Sequence, residues 1–279
     1  MKYTTEADTQ LLEALAKLSP ESSQTTRRSW LKDGRVSVDG EVVKIGKTLI
    51  YKGQTITLGA KNVVIRGDIK ILYEDRHLVV IEKPEGMLSV STAYEKGETA
   101  HALLKEKYRP QRVHVVHRLD QDTSGVMLFA LSEEARDEMK RTFEKHDIER
   151  AYTAIVEGML TPEKGTWKCY LYEDSNYVVH ETDDAEYGEL AITHYEVKKI
   201  SRRNTWLELK LETGKKNQIR VHLSDYGNPV AGDRKYGAET NPLRRLCLHA
   251  SGISFTHPVT GEKLTIESAP PAGFSRIVE

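Results

Sequence analysis

The stretch VHVVHRLDQDTSGVMLFA, residues 113–130, sets a charged segment between two apolar runs, and its reading fixes the rest of the chain. Val126 to Ala130 has the continuous apolar character of a buried strand. Asp120 to Gly125 is then a polar turn held against a rigid core, a common location for functional groups. Gly125 permits backbone conformations that other residues resist, and Thr123 and Ser124 can cap the loop. A carboxylate beside an apolar strand needs a cation or donors. Arg118, two residues from Asp120, is read as left free, which leaves Asp120 in want of another partner. A purely structural ion-pair loop fits this segment equally well.

Working outward, Leu11, Leu12, Leu15 and Leu18 recur at helical spacing, and Thr25 to Asp33 fits a second helix with Ser23 or Thr25 as cap and Gly34 as stop. Val36 to Val43 alternates around an Asp39-Gly40 turn, and Gln54 to Leu58 offers a further strand. Gly59 to Lys70, with three turn-forming residues, reads as a linker. Beyond it lie strands at Leu78 to Ile81, Val126 to Ala130, Tyr152 to Val156 and Trp206 to Leu211, with helices near Thr99 to Tyr108 and Ser132 to Lys145. The expected class is α+β: a small helix-strand domain over residues 1–60, a linker over 61–70, and a mostly antiparallel-sheet domain over 71–279.

Composition narrows the function. The chain has 279 residues, 38% hydrophobic and 30% charged, enough for one sizeable core and a second small one. No apolar run approaches a membrane span and the start MKYTTEADTQ has no signal-peptide core, so a cytoplasmic protein without a membrane partner is expected. Cys169 and Cys247 are isolated, which suggests two buried thiols rather than a zinc site or disulfide framework. The net charge of -1 conceals segregation: residues 202–245 carry ten Lys/Arg against five acids, whereas 173–189 carry seven acids and no Lys or Arg. One face could thus grip a phosphate backbone while the opposite face is acidic, although scattered solvated charges would give the same counts.

Asp120-x-Asp122 resembles the DxD of haloacid-dehalogenase-type phosphatases, but those aspartates follow an apolar strand directly, whereas His117 and Arg118 intervene here. Asp122-Thr123-Ser124-Gly125 does not suit an aspartic protease, which needs a second such loop.

His117-Arg118-Leu119-Asp120-x-x-Thr123-Ser124-Gly125 before an apolar strand resembles the signature of the RluA-type pseudouridine synthases at every fixed position. Further resemblances run through residues 70 to about 270: Lys83-Pro84-Glu85-Gly86 is similar to K-P-x-G, Tyr152-Thr153-Ala154 to Y-x-A, Thr213 to Leu223 to T-G-R-x-H-Q-I-R-x-H, Gly227 to Gly237 to G-x-P-I-x-G-D-x-x-Y-G, and Leu246 to Ala250 to L-x-L-H-A. Lys215 and Asn217 depart from the usual arginine and histidine, and Arg150 stands where lysine precedes the tyrosine. The N-terminal Thr26-Arg27-Arg28, Lys32, Gly34-Arg35-Val36 and Val38-Asp39-Gly40 resemble the alpha-L RNA-binding motif; Arg27, Arg28, Lys32 and Arg35 suit an RNA groove, although a solvated helix face would have the same composition.

The resemblance implies isomerisation of uridine to pseudouridine in RNA, with no metal and no organic cofactor. It implies Asp120 as the catalytic carboxylate, Arg220 as its paired cation, Tyr152 stacked on the flipped uracil with a hydroxyl able to take the C5 proton, and Arg118 in the vacated place of the base. His117, Lys215 and Lys216 are the accompanying RNA-binding candidates. Members with an alpha-L domain resemble large-subunit ribosomal RNA modifiers more than tRNA modifiers, and a monomer is expected. The competing expectation is a non-catalytic RNA-binding or ribosome-assembly module on the same scaffold.

Overall fold

The computed structural model describes residues 1–32, 34–59, 63–91 and 98–279, the side chains of 63–66 apart, as two compact units, Met1–Val64 and Ile65–Glu279. The expected helix end at Asp33 and the start of the expected linker, 60–62, lie outside the described residues.

In the first unit the helices are Leu11–Leu18 and Gln24–Lys32. Ser23 supplies the cap of the second, its hydroxyl accepting from the Thr26 N–H at 3.1 Å. Strands Val36–Val38 and Glu41–Val42 flank the Asp39-Gly40 turn, where both residues have positive φ (49° and 94°), the signature of a two-residue hairpin turn. Strand Thr55–Leu58 pairs with Val36–Val38 on one side and with Lys2–Thr4 on the other. Leu11, Leu15, Trp30, Leu31, Val36, Ile50 and Ile56 form its core.

The expected linker is largely structured. Val63–Ile65 is a strand, and another, Ile69–Glu74, begins inside the linker. Burial of Ile69 and Ile71, 0% and 3% exposed, overrides the turn signal of the nearby glycines.

The second unit is built on one large sheet, and the class is α+β as expected. Its strands run in the spatial order Val179–Thr182, Lys164–Glu173, Glu189–Ile200, Asn204–Leu211, Glu149–Glu157, Leu248–Thr256, Ser124–Ala130, Leu78–Lys83 and Ile69–Glu74. Neighbours are antiparallel, except that Ser124 and Gly125 pair in parallel with His249 and Ala250. Gly125 has φ +115°, and a Cβ there would lie 2.2 Å from the Ala250 carbonyl oxygen. Only glycine lets the two strands approach so closely. Helices Ala100–Lys107 and Glu133–Glu144 are capped by Thr99 and Ser132, the residues at which the expected helices start. Ser124 belongs to the strand rather than to a capping loop, its hydroxyl lying 2.8 Å from His249 Nδ1 and accepting from Arg245 Nη2 at 2.7 Å.

Candidate active site

The segment His117 to Asp120 is held from three directions before any ligand is considered. Leu119 is buried; its N–H donates to the Ser89 hydroxyl at 3.1 Å, and that hydroxyl donates back to the Leu119 carbonyl at 2.7 Å. On the other side of Asp120, the ammonium of fully buried Lys83 donates to the carbonyls of Gln121, Pro84 and Met87 at 2.8, 2.9 and 2.7 Å. Burial pushes the Lys83 ammonium down to about 7, against the opposing pull of Asp122 and Asp120. Asp120 therefore rises between two anchored neighbours, with its side chain 24% exposed.

His117 lines the cleft but serves the fold. Its Nε2 accepts the Leu128 N–H at 2.9 Å, which places its proton on Nδ1, and its ring stacks on Phe143 with centroids 4.8 Å apart. Burial, with Arg150 nearby, pushes it down to about 3. The neutral imidazole keeps its Nδ1–H as a donor and carries no charge. Arg118 is exposed and lines the same cleft as Asp120.

Asp120 has a second partner besides Arg220. The Asn217 amide donates to Asp120 Oδ2 at 2.7 Å, while Arg220 Nη1 stands at 3.5 Å from the same oxygen. Arg220 belongs chiefly to Asp233, with Nε to Oδ2 at 2.6 Å and Nη2 to Oδ1 at 2.7 Å, in a fork where Arg220 and Asp233 are 8% and 2% exposed. Asp233 raises the arginine's proton affinity further, outweighing burial. The guanidinium lies over the Tyr236 ring at 4.9 Å. Asp233, Tyr236 and Asn217 are given no site role from sequence, although Asp233 and Tyr236 stand at the fixed D and Y of the G-x-P-I-x-G-D-x-x-Y-G resemblance and Asn217 at a departure from the T-G-R-x-H-Q-I-R-x-H one.

Tyr152 sits in strand Glu149–Glu157 where the pairing with Leu248–Thr256 slips by one residue between Ala151 and Tyr152. Such a bulge re-aims the side chain, here into the cleft. Burial pushes its phenol up to about 12, so it is protonated at neutral pH. Arg150 donates to the Glu212 carbonyl at 3.1 Å, in space that a Cβ on Gly214 would occupy at 2.2 Å from its Nη1.

Asp120, Tyr152, Arg220, Arg118, His117 and Lys215 thus converge on one cleft of about 320 Å³. Lys216 is not in its lining. Lys215 pairs with Glu189 at 2.9 Å and Lys216 with Glu173. The basic and acidic stretches therefore meet rather than occupying opposite faces, because the turn before helix Gln218–Asp225 packs against the strands that carry the acids. In the first unit, Arg27 donates to the Ser22 carbonyl at 2.7 Å and Arg35 to the Gly59 carbonyl at 3.1 and 3.0 Å, while Arg28 and Lys32 are exposed one helical turn apart. Both cysteines are buried. Among the described residues no group of three or more His, Cys, Asp or Glu is arranged to hold a metal, and no helix is long and apolar enough to cross a membrane.

A loop carboxylate, Asp120, thus shares one cleft with the exposed Arg118 and the aromatic ring of Tyr152. Residues 77–225 match the RNA pseudouridylate synthase family. The chain is 32% identical to the uncharacterized RNA pseudouridine synthase YhcT of Bacillus subtilis, over 97% of this chain and 93% of that one. It is 34% identical to ribosomal large subunit pseudouridine synthase D of Pseudomonas aeruginosa, over 93% and 88%. The human protein RNA Pseudouridylate Synthase Domain Containing 1 shares the fold, with TM-score 0.61 and 24% identity over 73% of this chain and 84% of that one. The chain belongs to the RNA pseudouridylate synthase family: it is an isomerase acting on RNA.

Proposed function

We propose that the chain converts uridines of large-subunit ribosomal RNA to pseudouridine, with Asp120 as the reacting carboxylate. The observation that carries this is the asymmetry of Asp120. Asp120 lines the cleft, and both of its side-chain contacts fall on Oδ2, leaving Oδ1 with no hydrogen bond among the described residues. A carboxylate held by one oxygen with the other unbonded is suited to act at C1′ or C6 or to assist deprotonation of the sugar, while the N1–C1′ bond breaks, the C5–C1′ bond forms, the C5 proton is lost and N1 gains one. The reaction is an isomerisation, so no redox partner is needed.

The target base must leave its stack, at a cost of a few kcal/mol. Arg118, exposed at the rim, is placed to fill the gap with its planar guanidinium, and Tyr152 offers the aromatic face for the flipped uracil. Residues 1–60 serve as an alpha-L type RNA-binding domain in which exposed Arg28 and Lys32 meet phosphates. Ribosomal RNA is favoured as substrate because relatives covering nearly the whole chain are named ribosomal large subunit synthases.

The test has two parts. Asp120→Asn keeps the volume but removes the charge, and the purified variant should bind RNA yet form no pseudouridine; turnover by it would refute the role of Asp120. Pseudouridine mapping in RNA from cells with and without the protein should show positions lost from large-subunit ribosomal RNA; losses confined to tRNA would refute the substrate.

A further inference from the structure

Asn217 occupies a position where its backbone and its side chain have separate explanations. Its φ is +54°, a left-handed conformation that asparagine tolerates better than most residues and glycine better still, and it opens helix Gln218–Asp225. That accounts for a small residue at 217 but not for where its amide points. The Tyr236 hydroxyl lies 3.2 Å from Asn217 Oδ1, and Asn217 Nδ2 lies 2.7 Å from Asp120 Oδ2. An amide oxygen only accepts and a carboxylate oxygen only accepts, so both directions are fixed: Tyr236 donates to Asn217, and Asn217 donates to Asp120. The Val179 N–H completes the line, donating to the Tyr236 hydroxyl at 3.3 Å. Asn217 and Tyr236 are 7% and 8% exposed, and Arg220 lies against the Tyr236 ring, so this polar chain is shielded from water.

We propose that Asn217 is a positioning residue that aims the Asp120 carboxylate, held in turn by a directional relay from the Val179 backbone through the Tyr236 hydroxyl. This rests on the reading of Asp120 as the reacting group. At 2.7 Å against 3.5 Å for Arg220, the neutral amide is the tighter of the two contacts on Oδ2, so it sets the orientation of the carboxylate. Tyr236 prevents the amide from flipping, which would turn Oδ1 of Asn217 toward Asp120 and oppose two acceptors. The relay joins strand Val179–Thr182, at the outer edge of the sheet, to the centre of the cleft.

The experiment uses the full chain and total RNA from cells lacking the protein, with pseudouridine formation followed at each site to obtain kcat and KM. Asn217→Gly keeps the left-handed backbone and removes the side chain, both the donor to Asp120 and the acceptor from Tyr236; Asn217→Asp is isosteric, still accepts from Tyr236, and replaces the donor with a second carboxylate. Both should lower kcat roughly 10- to 100-fold with KM within about twofold. Tyr236→Phe keeps the ring against Arg220 and should lower kcat roughly 3- to 10-fold. Protonation of the new carboxylate restores a donor, so the kcat of Asn217→Asp relative to Asn217→Gly should rise as pH falls. Parental kcat in Asn217→Gly would show that residue 217 serves the backbone alone and would overturn the proposal, as would a flat ratio between the two variants across pH. If Asn217→Asp does not fold, as judged by thermal melting, Asn217→Gly and Tyr236→Phe decide the matter. Asp120→Asn in the same assay separates the two readings: turnover by that variant refutes Asp120 itself, whereas an inactive Asp120→Asn beside fully active position-217 variants refutes only the relay.

Discussion

Replacing Asp233 by asparagine should damage the fold far more than the same change at Asp120, although both carboxylates face Arg220. The reason lies in how the arginine is shared. Its Nε and Nη2 are 2.6 and 2.7 Å from the two oxygens of Asp233, with that side chain 1% exposed. The amide introduced by Asp233→Asn would keep one acceptor but turn an N–H toward the guanidinium, and would leave that buried cation without its main counter-charge. Breaking a buried pair in this way costs about 3–5 kcal/mol. In a unit of this size each kcal/mol moves the melting midpoint by about 2–4 °C, so Asp233→Asn should lower Tm by roughly 6–20 °C. Asp120 is different: Arg220 Nη1 stands 3.5 Å away and the Asp120 side chain is 24% exposed, so solvent screens the pair. Losing it should cost at most about 1 kcal/mol. The assay is thermal or urea unfolding of both variants in parental and Arg220→Met backgrounds. In the Arg220→Met background, with no charge left to strand, Asp233→Asn should become much milder. Equal destabilisation by the two variants, or a larger effect at Asp120, would refute the unequal sharing.

Tyr152→Phe keeps the aromatic face, whose stacking is worth roughly 1–3 kcal/mol per base, so RNA affinity should be close to parental while turnover falls. Parental turnover of ordinary uridine RNA would leave the tyrosine as a stacking platform only. With its phenol pushed up to about 12, the parental kcat profile should show no ionisation from Tyr152 below about pH 10. Arg28→Ala and Lys32→Ala should each weaken RNA binding and reduce the slope of log affinity against log salt by about one, whereas an unchanged slope would mean that the helix does not touch phosphates. His117 and His222 are pushed down by burial to about 3 and about 4. The unfolded chain, with histidines near their usual 6.5, binds more protons than the folded one between those values, so stability should fall as pH drops from about 6.5 toward 4. Urea unfolding across that window should show a weaker pH dependence in His117→Gln.

What the sequence determined by itself is local. Helical spacing at Leu11 to Leu18, the Asp39-Gly40 turn and the caps at Ser23, Thr99 and Ser132 each depend on residues within a few positions of one another, where chain geometry leaves few alternatives. The placement of Asp120 on a loop ahead of a buried strand is of the same kind. Strands Lys164–Glu173 and Glu189–Ile200 escaped notice because one face of each is charged and exposed, so burial rather than apolar content marks them. Tertiary structure alone decided the partners. Asn217 meets Asp120 across 97 positions and Ser124 meets His249 across 125, separations over which no periodicity carries information. The same holds for charge: folding brings Glu189 and Glu173 against Lys215 and Lys216. An ion pair or a directed hydrogen bond forms between whichever groups packing leaves within about 3 Å, and that proximity is a property of the folded chain.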